Sequence, residues 1–232
     1  MIYKKIVEGR FVSRPNRFIA QVEIDGRQET VHVKNTGRCR ELLVPNARVW
    51  LFDSENPKRK TRYDLVAVEK ERADGEPILI NIDSQVPNDA AAEWVLKSGL
   101  FSDRATVRRE VTFGKSRFDL YIEDGSRKAF IEVKGVTLER DGVVLFPDAP
   151  TERGVKHVGE LALCIEAGYE AYLLFVVQMK GVREFRPNDE MHREFGDALR
   201  LAAERGVRVL AMDCVVTPDS IKIDSPIAVN LK

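Results

Sequence analysis

Arg117-Phe118-Asp119-Leu120-Tyr121-Ile122 is followed, across the polar stretch Glu123-Asp124-Gly125-Ser126, by Ala129-Phe130-Ile131-Glu132-Val133-Lys134. Both runs are rich in aromatic and β-branched residues and read as adjacent strands joined by a turn. Pairing them gathers the carboxylates of Asp119 and Glu132 and the ammonium of Lys134 at one end of a sheet. Two hard oxygen ligands beside a lysine suit Mg²⁺ or Mn²⁺, with the Val133 carbonyl as a third oxygen. Such a cation polarises a phosphodiester and lowers the pKa of a bound water. Lys134 would orient that water or offset charge developing on the phosphate.

A bare Glu-x-Lys carries little. With 32% charged residues, it arises by chance roughly once in a chain of this size. The competing reading is a surface ion pair at a strand end, worth little in stability. Context favours the catalytic reading: an apolar strand, a preceding strand with its aspartate in place, and an amphipathic helix beyond. This is the layout of the PD-(D/E)xK nuclease core. Glu110, on the strand before Asp119, is read as pointing opposite Val107, Arg109, Val111 and Phe113. There it either joins the carboxylates as a third metal ligand or pairs with Arg108 or Arg117. Glu93, on the preceding helix, is a weaker candidate. Lys156 is expected over the site as a catalytic phosphate contact, with His157 beside it. Glu152, Lys156 and Glu160 also fit an exposed ion-pair ladder at four-residue spacing. His32 lies in a strand and reads as structural, and no Ser/His/Asp triad is present.

The chain has 232 residues, 44% of them apolar, enough for one large domain or two small ones. No apolar run approaches the roughly 20 residues that span a membrane, and the first residues do not read as a signal peptide. Cys39, Cys164 and Cys214 are odd in number and scattered, against both a disulfide framework and a zinc site. A cytoplasmic location is expected. Net charge is zero, but residues 1–80 hold 16 Lys+Arg against 12 Asp+Glu, and residues 81–232 hold 21 against 25. A basic N-terminal face and an acidic site beyond it follow.

Residues 1–82 read as strands and turns. Phe18–Ile24 runs into Asp25-Gly26, a type I′ signal, and Glu29–Val33 returns from it. Further strands are expected at 47–52, 63–68 and 78–80, with a brief helical stretch from Arg38 to Leu43. Five short strands suggest an OB-like barrel, a fold that often binds nucleic acid. Lys34, Arg38 and Arg40 lie in one basic turn, and Lys58, Arg59 and Lys60 in a second loop; both suit phosphate contacts without base readout. Residues 83–232 read as the nuclease-like domain. A helix begins near Asn88 as N-cap and ends before Gly99. Strands follow at 107–113, 117–122 and 129–136, then a helix at 152–167 and a buried strand at 171–177. A helix at 189–204 and a strand at 207–212 complete an α+β domain with a mixed sheet flanked by helices.

Four segments together resemble the sugar fermentation stimulation protein family of bacteria and archaea, nearly end to end. They are Asn35-Thr36-Gly37-Arg38, Glu110 with Gly114–Asp119, Ile131-Glu132-Val133-Lys134-Gly135-Val136-Thr137-Leu138, and the long run from Phe146 to Leu161. The resemblance implies an OB-like domain followed by a PD-(D/E)xK-like domain. It also implies largely non-specific DNA binding and a regulatory role in sugar, especially maltose, metabolism. It places Arg117, Asp148, Thr151, Arg153, Lys156, His157 and Glu160 along the site, Arg117, Arg153 and His157 being read as DNA contacts. Lys34 stands where a proline is common, and Pro150 replaces a usual aliphatic residue before Thr151. Three functions are compatible with these residues: a DNA-binding protein with a metal site, an active Mg²⁺- or Mn²⁺-dependent endonuclease, and a regulator acting through protein contacts with a structural acidic site. DNA is the expected partner and no membrane is; self-association is left open.

Overall fold

The computed structural model describes residues 1–35, 37–73 and 75–232. Thr36, in the family-like segment, lies outside the described residues. The chain runs through β1 (Ile6–Asn16), β2 (Ile19–Ile24), β3 (Arg27–Val33), β4 (Arg48–Asp53), β5 (Tyr63–Lys70) and β6 (Ile78–Asn81). The β2–β3 turn has positive φ at both Asp25 and Gly26, the type I′ geometry its sequence requires. Strands β1 to β5 close a barrel in the order β1-β2-β3-β5-β4, sealed by the parallel β3–β5 pairing of His32 with Asp64 and Val33 with Leu65. This is the OB architecture.

Its membership differs from expectation in two places. The 78–80 strand lies outside the barrel as β6, paired to β5 alone, and the fifth barrel strand is β1. Gly9, Arg14 and Pro15 break up the alternation of that segment. Gly9 is needed there, because a Cβ would meet Val22 Cγ1 at 2.6 Å and the Glu23 carbonyl at 2.8 Å. Residues 38–43 form a turn rather than a helix, with Leu42 and Leu43 both donating to the Cys39 carbonyl. Cys39 has φ 45°, which a helix excludes.

The second half holds α1 (Val86–Val95), β7 (Thr106–Phe113), β8 (Ser116–Asp124), β9 (Arg127–Val136), β10 (Leu138–Arg140), β11 (Val143–Phe146) and α2 (Glu152–Glu166). After these come β12 (Glu170–Val177), β13 (Glu184–Pro187), α3 (Asp189–Glu204), β14 (Arg208–Thr217), β15 (Ser220–Pro226) and β16 (Ala228–Val229). A mixed sheet orders them β15-β14-β12-β9-β8-β7, with β9, β12 and β14 parallel. Its centre, β12, is buried almost throughout, as its unbroken apolar run requires. The small sheet β10-β11-β13-β16 and the hairpin partner β15 were not anticipated. Asn88 is not the cap of α1: Gln85 holds that position and Pro87 lies in the first turn, where its missing N–H loses nothing. Thr151 caps α2, its Oγ1 accepting from Gly154 N at 3.1 Å. No helix is long and apolar enough to cross a membrane among the described residues.

The apolar side chains form two clusters, one on each face of the mixed sheet. One packs under α1, and the other continues from beneath α2 and α3 into the barrel. The β7–β8 hairpin turns over between them. Val107, Leu120 and Ile122 belong to the α1 side, whereas Val111, Phe113 and Phe118 belong to the α2 side. Regular alternation would keep Phe118 and Leu120 on one face, so the strand rotates at Asp119. Across from it, Glu110 takes φ 55°. Neither Glu110 nor Asp119 is among the paired residues of the β7–β8 register, and Asp119 is not among those of β8–β9.

Candidate metal site and nucleic-acid face

Extending the β8–β9 register from Leu120↔Ile131 puts Asp119 directly opposite Glu132. Asp119 does not complete the ladder. Its Oδ2 accepts from the Val133 amide at 2.8 Å, and its Oδ1 accepts from Asn88 Nδ2 at 2.8 Å. Glu132 is 2% exposed. Its Oε1 accepts from Lys134 Nζ at 2.5 Å and pairs with His157 Nδ1 at 2.6 Å. Its Oε2 is buried with no hydrogen-bond partner. Arg153 Nε donates to the other ring nitrogen of His157 at 3.3 Å. The chain Arg153–His157–Glu132 therefore links the start of α2 to the middle of the sheet.

The environment pushes the two carboxyls apart. Burial, joined by the negative charge of Glu132, raises Asp119 above the usual carboxylate range, against the Val133 amide, Lys134 and Asn88. Burial acts to raise Glu132 as well, but the His157 hydrogen bond and the charge and hydrogen bond of Lys134 outweigh it and hold it low. A surface ion pair is thus excluded for these residues. A buried carboxylate oxygen without a donor is costly unless an ion or water meets it.

The predicted site residues divide into those the fold gathers and those it sends elsewhere. Asp119, Glu132, Lys134, His157 and Arg153 converge. Glu110 does not: its side chain is exposed and lies 3.6 Å from Arg117 Nη1, because the corner in β7 reverses its direction. Glu93 faces away, 3.2 Å from the N-terminal amine. Lys156 reaches the hairpin instead, donating to the Lys115 carbonyl at 2.9 Å and lying 3.8 Å from Glu160. His157 is 5% exposed and turned inward, which removes it from direct phosphate contact. Among the described residues no group of three or more His, Cys, Asp or Glu side chains is placed to hold a metal. The gathered residues offer two carboxylates, Asp119 and Glu132.

The basic residues of the barrel divide likewise. Arg38, Arg40, Lys58 and Lys60 are exposed. Arg59 forks onto Asp64, with its Nη1 at 3.0 Å from Oδ2, and Lys34 donates to the fully buried Asp83 at 2.7 Å. The sequence reading missed Arg14, whose guanidinium donates to the carbonyls of Arg17, Asn35, Gly37 and Arg38 and so shapes the Arg38–Arg40 loop. That loop abuts the second domain. A Cβ on Gly37 would lie 2.5 Å from Asp148 Oδ2. A crevice of about 110 Å³, lined among others by Asn35, Gly135, Asp148 and Gln178, runs between the loop and the strand that carries Glu132. The sequence marks Asn88 only as a helix cap, whereas its amide holds Asp119; nothing local announces Arg14.

Comparison with known proteins agrees along the whole chain. Residues 85–220 match the family model described as the sugar fermentation stimulation protein RE domain, and residues 12–80 match the SfsA N-terminal OB domain. A sugar fermentation stimulation protein homolog of Clostridium beijerinckii is 56% identical over 223 residues, 96% of each chain. One from Desulfitobacterium hafniense is 55% identical over 231 residues, covering 100% of this chain and 99% of its own. The solved structure of Pyrococcus furiosus SfsA in complex with Ca²⁺ superposes with a TM-score of 0.84 at 26% identity, covering 99% of this chain and 98% of that one.

Proposed function

The chain belongs to the sugar fermentation stimulation protein family, and from that premise we propose that it binds DNA without marked sequence preference and holds one divalent cation between Asp119 and Glu132. The observation that carries the cation is the buried, partnerless Glu132 Oε2 beside a second carboxylate. A hard cation with six to eight oxygen ligands would be held by Asp119, Glu132, the Val133 carbonyl, and water or phosphate oxygens. The Pyrococcus furiosus protein is in complex with Ca²⁺, which supports a divalent cation in this chain. Only one cation is assigned. Glu110 and Glu93 are directed elsewhere, and the nearby contribution from α1 is the neutral amide of Asn88.

The support for DNA is the exposed basic set Arg38, Arg40, Lys58 and Lys60 on the barrel, with Arg153 exposed at the start of α2. A role in sugar use accords with the relatives' name. Endonuclease activity is a second reading, favoured by one observation: Lys134 stands against the carboxylate pair as that chemistry requires.

The deciding experiment incubates purified protein with supercoiled, linear and branched DNA in the presence of Mn²⁺, Mg²⁺ or EDTA. Binding to all three DNAs is expected, with affinity falling steeply as salt rises. Replacing Arg38, Arg40, Lys58 and Lys60 by alanine should lower the slope of log K against log salt by about one for each lost phosphate contact. Calorimetric titration should give one Ca²⁺ per chain. Cleavage with Mn²⁺ or Mg²⁺ that disappears in Glu132→Ala would establish the endonuclease. No DNA binding at low salt would overturn the proposal and leave the protein-contact regulator.

A further inference from the structure

The two oxygens of Glu132 have unlike surroundings: Oε1 takes two donors, from Lys134 and His157, while Oε2 takes none. We infer that His157 is a positioning residue, which turns the Glu132 carboxyl so that Oε2 faces the cation. This rests on the metal-binding reading above and adds to it the group on which cation affinity depends.

The proton on the imidazole is fixed by its neighbours. Arg153 Nε can only donate, and it lies 3.3 Å from His157 Nε2. Nε2 therefore accepts, and Nδ1 carries the hydrogen that points at Glu132 Oε1, 2.6 Å away. Arg153 and His157 are one helical turn apart on α2, the spacing at which side chains on a helix meet. The ring is buried and rests edge-on to Phe118, with centroids 6.1 Å apart, so its plane is set by packing. Lys134 cannot supply that direction alone, because an ammonium on a four-carbon stem presents three rotatable donors. Asp119 is clamped in the same manner by Asn88 and the Val133 amide. Neutral donors from α1, β9 and α2 thus orient the pair, and outer partners of this kind tune metal affinity in other sites.

The test titrates full-length wild type, His157→Ala, His157→Asn and His157→Gln with Ca²⁺ by calorimetry and with Tb³⁺ by luminescence. Imidazole ¹⁵N shifts of the wild type report its tautomer. His157→Ala should bind Ca²⁺ roughly 10–100-fold more weakly while remaining folded. His157→Asn should recover most of that loss, since its amide nitrogen falls where Nδ1 sits, and His157→Gln should not. Wild-type affinity in folded His157→Ala would overturn the assignment, as would an Nε2–H tautomer in the wild type. Should His157→Ala fail to fold, equal affinity in the Asn and Gln variants would overturn it equally well. If the wild type binds neither Ca²⁺ nor Tb³⁺, the metal reading itself falls and takes this assignment with it. The tautomer measurement would still show whether the Arg153–His157–Glu132 geometry is right.

Discussion

Glu132→Gln is expected to abolish the thermal stabilisation that Ca²⁺ gives the wild-type protein, and to lower stability in its absence. Glutamine has nearly the same shape, and its Oε1 can still accept from Lys134 and His157. What it removes is a charge that Lys134 Nζ meets at 2.5 Å on Oε1. Loss of one partner from a buried ion pair destabilises, so the metal-free variant should melt below the wild-type temperature. The effect of ligand is separate. A cation at about 100 times its Kd stabilises the folded state by about 2.7 kcal/mol, or about 5–11 °C in Tm for a chain of this size. In the variant that shift should vanish, with affinity for Ca²⁺ reduced at least about 100-fold, the upper end of what loss of an outer partner alone produces. Scanning calorimetry of both proteins with and without Ca²⁺ measures the two effects together. An unchanged Ca²⁺ shift in Glu132→Gln would remove Glu132 from the site.

The carboxylate pair was legible from sequence because hairpin pairing is local. Two strands with a Gly-containing polar turn between them admit few registers, and the right one sets Asp119 beside Glu132. For Glu110 the sequence left two directions open, toward the carboxylates or toward Arg108 or Arg117, and the structure takes the Arg117 pair. Strict alternation along β7 predicts its face, but the positive φ at Glu110 reverses the strand there, and nothing in a Glu between Arg109 and Val111 announces a corner. His157 was recognised as a site residue yet assigned to phosphate. Its burial against Glu132 depends on how α2 lies over the sheet, a long-range fact that periodicity does not contain. The barrel shows the same division. The Asp25-Gly26 hairpin is local and was read correctly, whereas the choice of β1 over β6 as the fifth strand depends on closure between β3 and β5. Basic residues were the least legible group, since composition counts a charge but cannot tell an exposed arginine from one forked onto a buried aspartate.

Lys34 makes that last point testable, and Lys34→Met should destabilise the protein about as much as any single change outside the apolar core. The Asp83 side chain is fully buried. Its Oδ2 takes Lys34 Nζ at 2.7 Å and the Tyr3 hydroxyl at 3.3 Å, and its Oδ1 takes the Gln85 amide at 3.0 Å. Burial, reinforced by the charge of Asp83, pushes the Tyr3 phenol far above its ordinary value, so that hydroxyl remains a donor. The network extends through Asn81 to Gln178, whose Nε2 donates to the carbonyls of Asn81 and Asp83. It therefore ties the barrel to the end of β12. Removing Lys34 leaves a buried carboxylate with neutral donors only, which costs about 3–5 kcal/mol, the lower figure being expected because Lys34 is 20% exposed. At about 2–4 °C per kcal/mol for a protein of this length, Tm should fall by about 6–12 °C. Adding Asp83→Asn should recover much of the loss, since the two changes act on one pair and are not additive. DNA affinity of the folded variant should stay near that of the wild type, in contrast to Arg38→Ala. If Lys34→Met leaves Tm unchanged and weakens DNA binding as Arg38→Ala does, Lys34 is a phosphate contact on the barrel surface and the junction is held without it.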